Sequence, residues 1–283
     1  MSHYVVVAET GADIPASVAE ELGIHLVPMH VNLGDETYDD ASFPAKRVFD
    51  YYDQTGTLPK TSGCTPADFD KAFQDIFAKD PDAKIIYPAY SAITTCSFQS
   101  ARSVSAAYPP MIMEDTKHVT AGQYLVVTEV ARFVKEHPEA TEEQVAELMQ
   151  DTIQKTRMSF IPGGLEYLHA GGRLSNAAFL GASLLKIKPT IEIIDGKLTA
   201  TKKRRGAMEK CVKSLTEDFL ASEKWDKRRI CALRSAGLSQ EIQDTVTARL
   251  KEEGFENVIW VDTGCVISSH CGPGSFGLAA ITE

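Results

Sequence analysis

The segment KIIYPAY at residues 84–90 decides the fold class, because it is a short apolar run between two helical patterns. Such a run predicts a buried β-strand. Before it, Thr65 as N-cap and Asp68 three residues later mark the start of a helix. After it, a polar loop at residues 91–95 leads into a helix that carries Phe98. A strand between two helices is the repeating unit of a parallel sheet covered by helices.

The same alternation extends through the first half of the chain. Apolar runs predict strands at residues 4–8, 24–33 and 111–114. Amphipathic spacing and capping signals predict helices at residues 14–22, 121–135 and 141–156. We therefore expect an α/β domain over residues 1–157, with a mainly parallel sheet flanked by helices.

The pattern changes near Met158, where glycines and strand signals become denser. Asp195 and Gly196 separate two strand-like runs, residues 187–194 and 197–203, which predicts a hairpin with a primed turn. Further helices are predicted at residues 207–222 and 239–253, and strands at 229–234, 258–261, 266–269 and 277–281. We expect a second, mixed α/β domain over residues 158–283. Whether the last strand returns to the first domain stays open at this level.

Charge and composition exclude several classes of function. The formal net charge is -10, and the only basic run is Lys202 to Arg205, so nucleic acid is not an expected partner. No apolar stretch is long enough for a transmembrane helix, and the first residues lack the apolar core of a signal peptide. We expect no stable membrane insertion.

The cysteines indicate a reducing compartment and no structural metal. The six cysteines form no CxxC pair, which favours free thiols in a cytoplasmic protein. Cys265 and Cys271 flank His270, but this spacing fits no common zinc module. We therefore predict neither a metal nor a cofactor.

Four polar clusters are predicted to lie where strands end, which is where open α/β sheets bind ligands. They are residues 60–63, 91–95, 171–175 and 269–274. The hydroxyls of the first two suit a carboxylate or phosphate, while Arg173 after two glycines can aim a guanidinium at an anion. Each cluster also has a plainer interpretation as a helix cap, a turn or a surface arginine.

Enzyme motifs are scarce. The chain has no GxxxxGK[ST] phosphate loop, no GxGxxG after a strand and no GxSxG elbow. A small-molecule hydrolase using Ser62 or Ser91 with His270 remains an alternative, although no third member of a triad is evident. A carrier or sensor of a polar phosphate compound is a second alternative.

Taken together, the motifs resemble the DegV family over nearly the whole chain. The motifs in order are Ala8 to Pro15, Tyr38 to Asp40, Thr61-Ser62, Phe98 to Ala101, Asp115-Thr116, Thr120 to Gln123, Leu165 to Leu168, Gly171 to Ser175, Ile187 to Pro189, Asp195-Gly196, Arg205-Gly206 and His270 to Gly274. The loop from Ser91 to Ser97 departs from the usual Ser-Ser-Gly-Leu-Ser-Gly-Thr, because Ala92, Ile93, Thr94 and Cys96 replace family-typical residues.

The resemblance implies two α/β domains with a lipid tunnel between them and a carrier role without enzymatic activity. The carrier binds a long-chain fatty acid, and a separate fatty acid kinase catalytic subunit phosphorylates the carboxylate. The positions that the resemblance places at the fatty acid are Thr61, Ser62, Ser91, Thr95 and His270. Those that it implies for phosphoryl transfer or partner docking are Arg173, Arg205 and His270.

Overall fold

The computed structural model describes residues 4–175, 181–182, 185 and 187–283. In chain order, the strands are β1 (Tyr4–Glu9), β2 (Ile24–Val27), β3 (His30–Leu33), β4 (Glu36–Asp39), β5 (Lys60–Ser62), β6 (Lys84–Ala89), β7 (Ile112–Asp115), β8 (Thr156–Ile161), β9 (Ile187–Ile194), β10 (Lys197–Arg205), β11 (Trp225–Arg234), β12 (Asn257–Asp262) and β13 (Phe276–Thr282).

The helices bounded within the described residues are α1 (Ala16–Leu22), α2 (Lys46–Thr55), α3 (Pro66–Lys79), α4 (Ser97–Ser105), α5 (Thr120–Glu136), α6 (Glu142–Lys155), α7 (Leu165–Ala170), α8 (Met208–Leu220), α9 (Gln240–Glu252) and α10 (Cys265–Cys271). A 3-10 turn, Thr10–Ala12, follows β1. Within the described part of the chain, no helix has the length and apolar character needed to cross a membrane.

The first half is built on a four-stranded parallel sheet in the order β2-β1-β6-β7. This confirms the predicted fold class for the first half. The capping boxes at Thr65 and Thr141 form as expected and start α3 and α6. Helix α5 is buried along most of its length because it packs against this sheet on one side and against β8, β11 and β13 on the other.

The second half is built on a six-stranded mixed sheet in the order β10-β9-β8-β13-β11-β12. The predicted hairpin of β9 and β10 is confirmed, with Asp195 at φ 48 and Gly196 at φ 80, as a primed turn requires. The last strand, β13, pairs with β8 and β11 inside this sheet. All six strands follow residue 155, but a division into domains after residue 157 stays a prediction.

The single strand predicted at residues 24–33 is wrong, because the chain changes sheets there. Strand β2 joins the parallel sheet, whereas β3 joins a small antiparallel sheet with β4 and β5. Pro28 has no N–H for a ladder bond, and the N–H of Met29 donates to Thr10 Oγ1 at 3.0 Å. The small sheet matters for the site, since β5 carries Thr61 opposite Val31 of β3.

The strand predicted at residues 266–269 is also wrong, because these residues lie in α10. β-Branched Val266 and Ile267 favour a strand locally. In the fold, carboxylates of Asp13 and Asp40 accept the first N–H groups of the helix and override that preference.

Candidate functional site

A cavity of about 310 Å³ lies between the six-stranded sheet and segments of the first half, namely the small sheet and the loops that follow β6 and β7. Its walls come from both halves of the chain, including β5, the start of α5, β8, β11 and α10. Part of the wall consists of buried apolar side chains, namely Met158, Phe160, Leu168, Leu233 and Ile267. The volume is near the lower end of the range for small-molecule sites, roughly 300–1,000 Å³.

Six polar residues from four segments of the chain lie in the cavity wall, and we call them the polar cluster: Thr61, Ser62, Thr94, Thr95, Arg173 and His270. These residues are half-buried or exposed, in contrast to the buried apolar wall. The absence of a side chain at Gly63 lets the segment with Thr61 and Ser62 approach Thr95 closely. A Cβ at Gly63 would lie 2.2 Å from Thr95 Oγ1. The cluster therefore lies at the solvent-facing end of the cavity.

His270 is held between the two halves of the molecule. Its Nε2 atom lies 2.7 Å from Thr61 Oγ1, and its ring packs so closely on Gly171 that a Cβ there would approach Nδ1 to 2.2 Å. Burial, with a smaller contribution from the positive charge of Arg173, lowers the pKa of His270 to about 3. The imidazole is therefore neutral near pH 7. Its Nδ1 atom is buried and has no hydrogen-bond partner among the described residues.

Arg173 joins the segment after α7 to the loop after β6. Its guanidinium donates to Thr94 O at 2.5 Å and to Gly171 O. Because backbone oxygens are neutral acceptors, the guanidinium keeps its full positive charge at the edge of the cavity. This charge is available to an anionic ligand.

Two of the residues assigned from the sequence lie elsewhere. Ser91 is fully buried outside the cavity wall, and its hydroxyl donates to Gly196 O at 2.8 Å at the tip of the β9–β10 hairpin. Arg205 is exposed at the end of β10 and lies with Lys203 and Lys210 beside a separate surface depression. The structure thus brings Thr61, Ser62, Thr95, Arg173 and His270 together and separates Ser91 and Arg205 from them.

Sequence reasoning missed several residues of the site. Tyr90 and Thr120 line the cavity although neither was assigned to it, and Thr94 was noted only as part of the polar loop at residues 91–95. Asp13 and Asp40 were noted only as parts of family motifs, yet they cap the helix that carries His270. No local signal in the sequence marks this role, because the helix that they cap lies 251 and 225 residues further along the chain.

The hydrolase alternative gains no support from these contacts. His270 Nε2 is bonded to Thr61, and Ser91 is committed to Gly196 O. A nucleophilic serine needs its base within hydrogen-bonding distance. No such Ser62–His270 or Ser91–His270 pair occurs among the hydrogen bonds of the described residues.

A larger cleft of about 570 Å³ lies between the β9–β10 hairpin and the end of α6, but its charged side chains are largely paired. Arg204 bonds Asp218 at 2.7 Å, Lys202 bonds the same carboxylate at 3.2 Å, and Arg157 pairs with Glu223 at 3.5 Å. Such a surface offers little to an apolar ligand, so the smaller cavity is the better candidate.

Comparison with known proteins identifies the family. A family model described as "Uncharacterised protein, DegV family" matches residues 3–283. The chain belongs to the DegV family. A relative from Thermotoga maritima named fatty acid-binding protein is 25% identical over 279 residues, covering 96% of this chain and 95% of the relative.

Solved DegV structures have the same fold. A fatty acid-binding DegV family protein from Thermus thermophilus superposes with a TM-score of 0.86 at 24% identity, covering 100% of both chains. The fatty acid kinase B3 protein of Streptococcus pneumoniae, loaded with linoleic acid, superposes with a TM-score of 0.85 at 19% identity, again covering 100% of both. Fatty acid binding is thus described for these two solved DegV proteins.

Proposed function

We propose that this protein binds one long-chain fatty acid and presents its carboxylate to a separate ATP-dependent fatty acid kinase. The observation that carries the proposal is a cavity with buried apolar walls and a polar cluster at its solvent-facing end. The names of the DegV relatives support the same ligand class.

The apolar wall of the cavity binds the hydrocarbon tail of the fatty acid in this proposal. Each methylene that leaves water contributes about 0.8 kcal/mol, so a chain of many methylenes binds tightly in a closed apolar cavity. Met158 and Phe160 of β8 and Leu233 of β11 lie on one face of the six-stranded sheet, on either side of β13, and offer such a surface. A polar metabolite would lose its hydration there without compensation.

The polar cluster accounts for the carboxylate. If the neutral imidazole of His270 carries its proton on Nε2, it donates to Thr61 Oγ1, and the Thr61 hydroxyl is free to donate to the ligand. A donor chain of this kind strengthens each bond in it. The opposite tautomer would turn Thr61 towards His270 and leave a buried Nδ1–H without an acceptor. Thr95 and Ser62 offer further hydroxyls at the same end.

Phosphoryl transfer is assigned to the partner, because the chain has no phosphate loop of its own. A carboxylate oxygen attacks the γ-phosphorus of ATP on the kinase, which forms an acyl-phosphate and releases ADP. Arg173 offsets the negative charge that develops at the cavity edge. Exposed Arg205 is a docking residue for the kinase in this proposal, and both proteins act in the cytoplasm.

The decisive experiment is lipid analysis of the purified protein. Native mass spectrometry and organic extraction should reveal a co-purified fatty acid in about equimolar amount. A clean apo mass in several preparations, together with no uptake of added oleate, would refute the proposal.

A variant separates binding from phosphorylation. We expect Arg173→Ala to keep its fatty acid and to lower acyl-phosphate formation with the kinase about 100-fold, the loss typical of a removed electrostatic stabiliser. Arg102→Ala on the exposed face of α4 is the matched control and should change neither property. Loss of lipid from Arg173→Ala, with normal phosphorylation of lipid already bound, would reverse the roles assigned here.

A further inference from the structure

Helix α10 begins on two carboxylates that come from the other half of the molecule. Asp13 Oδ1 accepts the N–H of Gly264 at 2.7 Å. Asp40 Oδ1 accepts the N–H of Cys265 at 2.8 Å and that of Val266 at 3.2 Å. Both acids are buried, with exposed fractions of 7% for Asp13 and 4% for Asp40.

A local cap would satisfy the same N–H groups more simply. The N-cap residue is Gly264, which has no side chain to contribute, and its φ of -66 is open to any amino acid. A serine there would cap the helix without burying a carboxylate. Burying two carboxylates is costly unless their bonds are well made, and burial raises the pKa of both Asp13 and Asp40. Capping alone therefore does not explain this arrangement.

The two acids fix where α10 lies. The helix is only seven residues long and supplies Val266, Ile267 and His270 to the cavity wall. Its C-terminal end is held by the second half, where Cys271 O accepts the N–H of Gly163 at 2.9 Å. The carboxylates tie its N-terminal end to the first half, which also supplies Thr61. The Thr61–His270 distance depends on both attachments.

Asp13 has a second task at the cavity wall. Its Oδ2 atom accepts the hydroxyl of Thr120, the first residue of α5. Thr120 lines the cavity at a φ of 38, which is unusual for a β-branched residue and needs support from its surroundings. Asp13 thus joins the starts of α5 and α10, whereas Asp40 accepts N–H groups from α10 and, at 3.0 Å, from the adjacent Ala41.

We infer that Asp13 and Asp40 are positioning residues for the carboxylate site, because they anchor α10 to the first half and thereby set the Thr61–His270 contact. The inference rests on the proposed function for its consequence in binding, while its structural part concerns the ligand-free protein as well. Neither acid lines the cavity: Asp40 acts through His270, and Asp13 acts through His270 and Thr120.

The test separates anchoring from capping. Asp40→Ala removes both. The double variant Asp40→Ala/Gly264→Ser restores a local cap but not the Asp40 tie to the first half. The Asp13 tie remains, and Asp13 Oδ1 must shift slightly because it would lie 3.1 Å from the new Cβ. Asp40→Asn keeps the shape and removes the charge. Exposed Asp35→Asn serves as the matched charge control.

Two measurements distinguish capping from anchoring. Thermal unfolding should show that Asp40→Ala lowers Tm by about 3 °C, as loss of a cap does, and that the double variant recovers it. Titration with oleate should show about tenfold weaker binding for both variants, the equivalent of one charge-assisted hydrogen bond. Asp40→Asn should fall between wild type and Asp40→Ala.

A spectroscopic signature makes the test independent of lipid. The ¹⁵N shifts of the His270 imidazole in ligand-free protein should show one fixed tautomer in wild type and Asp35→Asn. In Asp40→Ala and the double variant they should move towards the average of a free imidazole.

Wild-type shifts and oleate affinity in the double variant would overturn the inference, since capping would then be the whole role. If wild type binds no oleate, the proposed function fails, and the imidazole shifts still decide the anchoring. If Asp40→Ala does not fold, the double variant and Asp40→Asn give the same decision.

Discussion

The two faces of the six-stranded sheet share their strands but meet different surroundings. One face bears Ile161, Phe276 and Leu278, which pack with α8 and α9 into a closed apolar cluster. The other face bears Phe160 and Leu233, which line the cavity. Phe160 and Ile161 are adjacent in β8 and both buried, so burial itself does not distinguish a filled core from the wall of a site.

This comparison shows which face of the sheet leaves room for a ligand. A closed core gains its stability from close packing, and removal of any large side chain leaves a void. The wall of a cavity already lacks part of that packing, and a ligand tail supplies the missing contacts. The two faces should therefore respond differently to the same substitution and to ligand.

The largest effect is expected on the closed face. Phe276→Ala should lower the free energy of unfolding by about 4 kcal/mol, because a fully buried ring leaves a cavity that α8 and α9 cannot close. Urea unfolding of delipidated protein measures it. A loss below about 2 kcal/mol would mean that this face is as open as the other.

Removal of the fatty acid should lower the free energy of unfolding, because the ligand contacts the cavity face. Fatty acid at about 100 times its Kd should raise the free energy of unfolding by about 2.7 kcal/mol over delipidated protein, because the ligand binds only the folded state. Thermal or urea unfolding with and without oleate tests this. An unchanged midpoint at saturating oleate would show that the cavity face is not the lipid surface.

Phe160→Ala is the matched substitution on the cavity face. It should cost roughly 2 kcal/mol in delipidated protein, about half the value for a ring in a closed core, since part of its surface faces the cavity. The enlarged cavity should also favour longer or more bent chains when a fatty acid mixture is offered. Equal costs for Phe160→Ala and Phe276→Ala, with unchanged lipid preference, would remove the distinction between the faces.

The pH dependence of stability concerns His270 and gives the smallest effect over the first pH unit below 6.5. Its folded pKa of about 3 lies below its ordinary value of 6.5, so the unfolded state binds more protons between these two values. Wild type should therefore lose stability as pH falls from 6.5 towards 3, by up to about 1.4 kcal/mol per pH unit relative to His270→Gln.

The buried acids change stability with pH in the opposite direction to His270, but their contribution cancels between wild type and His270→Gln. Burial raises the pKa of Asp13 and Asp40, so the folded state takes up their protons first as pH falls. Both proteins carry these acids, and the difference between the two pH profiles isolates the imidazole. Parallel profiles over this range would show that His270 is not held neutral.

Much of the fold was predictable because its signals are local. Thr65 and Thr141 cap helices through residues three positions ahead, and Asp195-Gly196 sets the turn of a hairpin. Thr61, Ser62, Thr95, Arg173 and His270 were named from motifs, and the structure brings them to one cavity. Ser91 and Arg205 came from the same motifs but lie elsewhere, since a motif does not say which way a side chain faces.

The sequence by itself therefore determined the alternation of strands and helices, the hairpin and most of the polar residues at the cavity mouth. Only the tertiary structure decided that the chain changes sheets after Pro28, that residues 265–271 form a helix, and that the cavity lies on one face of the six-stranded sheet. The reason is the separation along the chain between the residues that interact. A cap three residues away is visible in a sequence window, whereas Asp13 and Asp40 reach helix α10 across 251 and 225 residues.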